Sequence, residues 1–251
     1  MSTVGDIKNA MNKWAPFETA EGFDNVGVLI GDDFLEVTKC IICLDVTQSV
    51  CDEAAGMGAE LIISHHPVIF EPLKSLSSES VVYQLVSEGI SVLSAHTNLD
   101  KASGGVNETL IDALGFADKK AVDGTDSLLF KCEAEFSCGE ELAKHVKSKL
   151  ALDSVRFYDA GFPIENVAVC CGSGGSFLPL VAAEGIDAFI TGDVKHNVVV
   201  DAENYGITLI DAGHYETEQM IVNKIFEYLT PIFSDVEFIK AESCKPLFKT
   251  V

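Results

Sequence analysis

The chain has 251 residues, enough to bury one large core or two small ones, and its 17 basic and 39 acidic residues give a formal net charge of −22. Hydrophobic residues make up 47% and charged residues 22%, which is typical of a globular protein and excludes a disordered one. Non-specific nucleic-acid binding requires a basic surface, and Arg156 is the only arginine. The charge therefore disfavours DNA, RNA and anionic membranes as partners.

The apolar segments of the chain bear on its location. Met1–Lys13 lacks the apolar core of a secretory signal, and no apolar run is long enough to cross a bilayer. We therefore expect a cytoplasmic protein without membrane-spanning segments. In that reducing setting the eight cysteines, several of them inside apolar runs, are expected to be buried small hydrophobic residues.

Strands and helices alternate through the first half of the chain. The run Cys40–Leu44 is continuous and apolar, which is typical of a strand buried on both faces. Thr47 is the predicted N-cap of the next helix, and Gly58 is its predicted stop. The strands predicted in this half are 40–44, 60–64 and 90–95, and the helices are 48–57, 79–87 and 104–114.

The second half repeats this alternation. Its predicted strands are 128–136, 155–158, 167–171, 187–191, 207–211 and 236–240, and its predicted helices are 139–150, 177–184, 195–204 and 215–229. The polar region 117–126 is the best candidate for a linker. The pattern predicts an α/β fold of two similar α/β lobes, with largely parallel sheets flanked by helices. We assign 1–120 and 210–251 to the first lobe and 121–209 to the second.

Histidines and carboxylates collect where predicted strands end, which is where parallel α/β sheets bind ligands. His65 and His66 follow one strand and could each serve a different metal ion. His214 and Glu218 lie four residues apart at a helix start, so both side chains can reach one centre. Asp100 adds a carboxylate that can bridge two ions. This set suits two divalent ions about 3.5–4 Å apart, with Zn, Fe, Mn and Co all compatible.

Each of these groups has a plainer explanation when taken alone. A histidine pair before a proline is often a surface feature, and a His/Glu pair spaced by four is often a solvated helix face. His96, which follows another predicted strand, could be a core histidine bonded to the backbone. Their shared placement at strand ends is what favours a metal centre over these alternatives.

Several motifs resemble the NIF-three-like family, whose members are described as GTP cyclohydrolase I type 2 homologues or dinuclear metal-centre proteins. The resemblance covers nearly the whole chain and rests on the segments 20–27, 63–67, 94–100, 104–107, 190–196 and 211–218. Three positions depart from the usual family pattern. Phe23 replaces a common Trp, Glu108 a frequent Asp, and Asn197 a common His.

The resemblance implies an assignment of site residues and an assembly. The implied metal ligands are His65, His66, Asp100, His214 and Glu218, with His96 close by. The implied assembly is a ring-shaped homohexamer built as a trimer of dimers, in a short form that lacks an inserted middle domain found in longer relatives. Two divalent ions per subunit are expected, because the same five ligands follow from the residues themselves.

A dinuclear centre would make a locally cationic site inside an acidic protein, which favours a small anionic ligand. We interpret the protein as a metal-dependent hydrolase that acts on a nucleotide or related small phosphate compound, with GTP ring opening as the activity that the resemblance implies. His96 is the candidate catalytic residue, acting as a general acid or base or orienting Asp100. Lys195 and the loop Gly172–Gly175 could contact a phosphate, or could be a solvated helix start and a tight connection. The alternative function is a non-catalytic metal-binding or regulatory scaffold.

Overall fold

The structure is a computed structural model that describes residues 1–249. The strands are β1 Gly27–Ile30, β2 Lys39–Cys43, β3 Leu61–Ser64, β4 Ser91–Ser94, β5 Ala117–Ala121, β6 Phe130–Phe136, β7 Arg156–Tyr158, β8 Ile164–Val169, β9 Ala188–Thr191, β10 Thr208–Asp211 and β11 Glu237–Lys240. The α-helices are α1 Val4–Trp14, α2 Gln48–Met57, α3 Val81–Glu88, α4 Thr97–Lys101, α5 Val106–Leu114, α6 Gly139–Lys149, α7 Leu178–Ala183, α8 His196–Tyr205, α9 His214–Glu218 and α10 Ile221–Leu229. Short 3₁₀ turns stand at Phe17–Thr19 and Gly175–Phe177.

The chain divides into two compact units. The first comprises Met1–Gly105 and Ile221–Lys245, and the second comprises Val106–Met220 with the described residues that follow Lys245. The units therefore change at 105/106 and 220/221, whereas the predicted lobes change at 120/121 and 209/210. As a result α9, with His214 and Glu218, belongs to the second unit.

The first unit is built on a five-stranded sheet in the order β1-β4-β3-β2-β11. Three of its four strand pairings are parallel, and only the edge strand β1 pairs antiparallel. Every residue of β3 and β4 is buried, as expected for parallel strands covered on both faces. The Thr47 hydroxyl accepts a hydrogen bond from the Val50 amide at 3.3 Å, and Gly58 ends α2 in the left-handed conformation, so both predicted caps are confirmed.

The second unit is built on a six-stranded sheet in the order β5-β6-β8-β9-β10-β7. The central strands β8, β9 and β10 are parallel, and the outer pairings are antiparallel. Phe189 and Leu209, on neighbouring parallel strands, pack with Leu129 and Val181 in its core. Two α/β units with helix-flanked sheets confirm the predicted fold class, although antiparallel pairing is commoner in the second sheet than expected.

The linker predicted at 117–126 is wrong over its first half. Ala117–Ala121 is strand β5, which pairs with β6 through Ala121 opposite Phe130. The strand lies at the edge of the sheet and four of its five residues are exposed, so its sequence has the polar character of a loop.

The helix predicted at 215–229 is two helices. The first, α9, ends at Glu218 and α10 begins at Ile221, where the chain passes from the second unit to the first. Each helix packs within its own unit, and α10 lies against β2 and β11. Apolar periodicity continues across the break, so no local signal in the sequence marks it. Helices α1 and α4 and strand β1 were not predicted from the sequence.

No α-helix within residues 1–249 combines the length and apolar character needed to cross a bilayer.

Candidate metal centre

Three histidines converge at the carboxyl ends of β3 and β4 in the first unit. The ring centroids of His65, His66 and His96 lie 5.0 to 5.5 Å apart. Each ring offers a nitrogen, and these three nitrogens lie within 4.8 Å of one another. We call these three residues the histidine cluster. Its spacing is suited to a bound cation, and its place at the strand ends is the one that the sequence predicts.

Each imidazole of the histidine cluster is fixed through its Nδ1 atom by an oxygen acceptor. The pairs are His65 with the Ala95 carbonyl at 2.8 Å, His66 with Asp45 Oδ1 at 2.7 Å, and His96 with Asp24 Oδ1 at 2.9 Å. Carbonyl and carboxylate oxygens only accept, so in a neutral ring Nδ1 carries the hydrogen and Nε2 presents its lone pair. Metal-binding histidines are held in this way.

Asp24 is the more enclosed of the two carboxylate acceptors, since its side chain is fully buried whereas that of Asp45 is 42% exposed. Its carboxylate also accepts hydrogen bonds from the Thr97 amide at 3.0 Å and the Thr97 hydroxyl at 2.5 Å. Burial alone would raise the pKa of Asp24, but the hydrogen bonds from His96 and Thr97 outweigh it and hold the pKa well below its usual value. Asp24 therefore stays ionised and fixes both His96 and the first residue of α4.

The carboxylate of Asp100 lies beside the histidine cluster on the short helix α4. Asp100 Oδ1 is 3.4 Å from His65 Nε2. Two ligands of one tetrahedral ion at about 2.1 Å are separated by roughly this distance. Asn98 positions the helix, because its buried side chain donates to the Ala15 carbonyl at 2.8 Å and accepts from the His96 amide at 2.9 Å.

In the second unit, His214 and Glu218 form a pair on one face of α9. His214 Nε2 is 3.1 Å from Glu218 Oε2, and the glutamate is buried. The His214 Nδ1 atom is bonded to Asp193 Oδ2 at 2.7 Å, which again leaves Nε2 as the atom for a ligand. Asp193 has a φ of 51°, a conformation that few residues other than glycine and Asp or Asn adopt. We call His214 and Glu218 the helix pair.

The glycine-rich loop that follows β8 borders the helix pair. Gly172 has a φ of +57°, and a Cβ atom there would lie 2.2 Å from Glu218 Oε1 and 3.1 Å from His214 Nε2. The Gly172 amide donates to the Thr217 hydroxyl at 3.0 Å, and the Gly174 amide donates to the Thr191 hydroxyl at 2.8 Å. These amides therefore brace the unit itself, and the bare Cα of Gly172 makes room for the Glu218 carboxylate.

The remaining positions singled out in the sequence lie on the surface or have structural partners. Lys195 is an exposed N-cap of α8, and Asn197 is exposed within the first turn. Glu108 forms an ion pair with Lys119 at 3.0 Å, so the change from Asp at this position is accommodated within the second unit.

Sequence reasoning missed the carboxylates that orient the histidines: Asp24, Asp45 and Asp193. Each one was visible in the sequence, since Asp45 follows the run 40–44 directly and the others lie inside motifs. Their partners are 21 to 72 residues away, so no local spacing could reveal the pairing. A general rule that metal-binding histidines need an oxygen acceptor at Nδ1 is the signal that could have found them.

Known proteins are similar to this chain over nearly its whole length. A family model described as Duf34/NIF3 (NGG1p interacting factor 3) matches residues 2–246. A Clostridium perfringens protein named GTP cyclohydrolase 1 type 2 homolog is 34% identical, with 99% of both chains covered. A Helicobacter pylori (strain 26695) protein named GTP cyclohydrolase 1 type 2 is also 34% identical, with 92% of this chain and 96% of its own covered. The crystal structure of Staphylococcus aureus hypothetical protein SA1388 superposes with a TM-score of 0.88 at 27% identity, covering 99% of each chain.

Proposed function

Since the chain belongs to the Duf34/NIF3 family, we propose that it is a dinuclear-metal-dependent hydrolase that acts on a nucleotide or a related small phosphate compound. One observation carries the proposal. The imidazoles of the histidine cluster and of His214 are all fixed at Nδ1 by an oxygen acceptor, so all present Nε2 as a ligand atom. This orientation is the one that metal-binding histidines have.

The metal ligands in this proposal are the five that the family resemblance implies: His65, His66, Asp100, His214 and Glu218. Imidazole and carboxylate donors without a thiolate fit Zn, Fe, Mn or Co, and two carboxylates reduce the charge of two divalent ions from +4 to +2. When bound, the ions would polarise an oxygen of the substrate and lower the pKa of a water molecule.

His96 is the proposed proton-transfer residue. A nitrogen of its ring lies within 4.8 Å of nitrogens of His65 and His66, and the ionised Asp24 holds the ring through Nδ1. His96 Nε2 would accept a proton from the attacking water and return it to the leaving group. Asp24 fixes the ring orientation and remains ionised through this exchange.

The substrate class follows from charge and from the names of relatives. Residual positive charge at the ligands favours an anionic compound, while the acidic body of the protein repels a long polyanion. The Helicobacter pylori relative is named for a GTP cyclohydrolase activity, which opens a purine ring by hydrolysis. We therefore propose a nucleotide as the first compound to test.

The decisive experiment combines metal analysis with a turnover assay. The metal-loaded protein would be incubated with nucleotides and phosphate esters, beside the variants His66→Ala and Glu218→Ala. We expect bound divalent ions and turnover in the unmodified protein, and loss of both in each variant. His145→Gln is the matched control, because His145 stacks on Phe116 outside the site and should keep both properties.

Two outcomes would contradict the proposal. A protein that binds no divalent ion, as purified or after reconstitution, cannot have the metal centre at all. A protein that binds ions but turns over no compound would instead be the non-catalytic metal-binding scaffold. His96→Gln tests the proposed role of His96, since a proton-transfer group can be lost with metal content unchanged, whereas a metal ligand cannot.

The homohexamer stays a prediction from the resemblance. Sedimentation at several protein concentrations would test it, with six subunits expected and a stable monomer or dimer as the contrary result.

A further inference from the structure

Two phenylalanines stand exposed beside the histidine cluster. Phe23 is 67% exposed and Phe70 is 43% exposed, and their ring centroids are 6.3 Å apart with planes tilted by 57°. The Phe70 ring meets the His96 ring edge to face at 6.2 Å. An apolar surface thus begins at the proposed proton-transfer residue and extends outward from it. We call Phe23 and Phe70 the aromatic platform.

One short loop organises both the platform and His96. Phe23 supplies a platform ring, and the next residue, Asp24, holds the His96 imidazole. The residue after that, Asn25, donates from Nδ2 to the Ile69 carbonyl at 2.6 Å and so fixes the backbone directly before Phe70. Three consecutive residues therefore supply a platform ring, orient His96 and fix the backbone before Phe70.

The chemistry of the platform selects a kind of ligand. Aromatic faces stack on flat π-systems, and such stacking accepts any planar base. The neighbours of His96 in the first unit are the imidazoles of His65 and His66, with the Asp100 carboxylate beside His65, and these groups would attract a negative charge once ions are bound. The compound that fits both is a flat heterocycle that carries an anionic group. A sugar phosphate supplies the anionic group but not the flat ring.

We propose that Phe23 and Phe70 bind the heterocyclic ring of the substrate by stacking and place that ring against His96. The inference rests on the proposed function, because it specifies which part of a nucleotide the site recognises. It assigns specificity to two residues outside the proposed set of metal ligands.

Equilibrium binding measured by calorimetry tests this without relying on turnover. The metal-loaded protein would be titrated with guanosine 5′-monophosphate and, separately, with ribose 5-phosphate, which lacks the base. Phe70→Ala and Phe23→Ala should each weaken guanosine 5′-monophosphate binding by roughly 5- to 150-fold, the range for one lost base stack, and leave ribose 5-phosphate binding unchanged. Phe23→Trp should retain or strengthen nucleotide binding.

Phe34→Ala is the matched control. Phe34 is 74% exposed and follows β1. Because β1 runs antiparallel to β4, β1 ends on the side of the sheet where β4 begins, opposite to the histidine cluster. Its loss should change neither affinity. Metal content and oligomeric state would be measured for every variant.

The possible results separate this inference from the proposed function. Equal weakening of both ligands, unchanged nucleotide affinity, or a shift in oligomeric state on losing either ring would overturn the platform, the last because another subunit would then cover it. Turnover of phosphate esters that survives in Phe70→Ala with unchanged nucleotide affinity would overturn the platform and leave the hydrolase standing. Selective loss of nucleotide binding without turnover of any compound would support the platform and overturn the hydrolase.

Discussion

The histidine cluster and the helix pair use the same device in different surroundings. Both fix imidazoles through Nδ1, but Asp24 behind His96 has a fully buried side chain, whereas 59% of the Asp193 side chain behind His214 is exposed. The cluster stands on the ends of two buried parallel strands, and the helix pair stands on a five-residue helix. The cluster is therefore held by the core of its unit, and the helix pair depends on local backbone geometry.

The largest effect is expected from Gly172→Ala, which disturbs the backbone loop beside the helix pair. The new methyl group would lie 2.2 Å from Glu218 Oε1, so the carboxylate must move away from its position beside His214. Activity should fall by about 100-fold, the upper end of the range for loss of a ligand-orienting group, and metal content should fall with it. The backbone strain at positive φ should also lower the free energy of unfolding by about 1–2 kcal/mol.

Gly185→Ala separates the two causes. Gly185 has a φ of +61° in the same unit, but nothing lies within 4 Å of a Cβ atom there. The same loss of stability with full activity and metal content is expected. If both variants lose activity equally, then strain rather than displacement of Glu218 is responsible.

The next largest effect on activity is expected at Asp24, the buried hydrogen-bond acceptor behind His96. Asp24→Asn keeps the shape of the side chain but removes the charge that stabilises a protonated His96, and an amide can present its NH₂ group to the ring. We expect a 10- to 100-fold decrease in kcat with little change in metal content. The double variant Asp24→Asn/His96→Gln checks the cause, because it should be no slower than His96→Gln alone if Asp24 acts through His96. A further decrease in the double variant would show that Asp24 does not act through His96.

A smaller effect is expected at Asp193, the exposed hydrogen-bond acceptor behind His214. Asp193→Asn removes the same kind of contact to His214, but water can replace a carboxylate that is largely exposed. The expected decrease in metal affinity is below about tenfold, measured by competition with a chelator. If Asp193→Asn proved as damaging as Asp24→Asn, the contrast between the two sets of ligands would be wrong.

The difference between local and long-range interactions explains which features could be predicted from sequence. Where strong local signals agree, as at Thr47 and Gly58 around α2, the sequence predicts element and boundary correctly. Edge strand β5 escaped prediction because exposure removes the alternation that marks a strand. The ends of α9 and α10 escaped it because tertiary packing, which periodicity does not report, divides the two helices.

The same difference applies to the residues of the candidate site. His214 and Glu218 were predicted to share a helix face, since a spacing of four residues has one geometric meaning, and the structure places them 3.1 Å apart. The acceptors Asp24 and Asp45 were not predicted, because their partners come from remote segments. Aromatic exposure at Phe70 depends on the course of a loop and left no pattern in the sequence.

The smallest effect concerns the other end of the strand that carries His65. Glu60 precedes β3, and its carboxylate accepts hydrogen bonds from the Thr38 amide at 3.0 Å, the Lys39 amide at 2.8 Å and the Thr38 hydroxyl at 2.9 Å. Burial would raise the pKa of Glu60, but these hydrogen bonds prevail and lower it. A depressed native pKa means that the ionised carboxylate stabilises the fold above the unfolded-state pKa of about 4.3, and that this stabilisation is lost as pH falls through the native value.

Glu60→Gln should therefore lower the free energy of unfolding by about 1 kcal/mol at pH 7, measured by denaturant titration, and the difference should shrink as pH falls below about 4. Activity and metal content should not change, because Glu60 lies at the opposite end of β3 from His65. Glu237→Gln is the control, since Glu237 makes one exposed ion pair with Lys39 at 3.4 Å and should contribute little at any pH. A Glu60→Gln variant with impaired metal binding would show that the two ends of the strand are coupled, so that the rigidity of the histidine cluster depends on anchoring across the whole sheet.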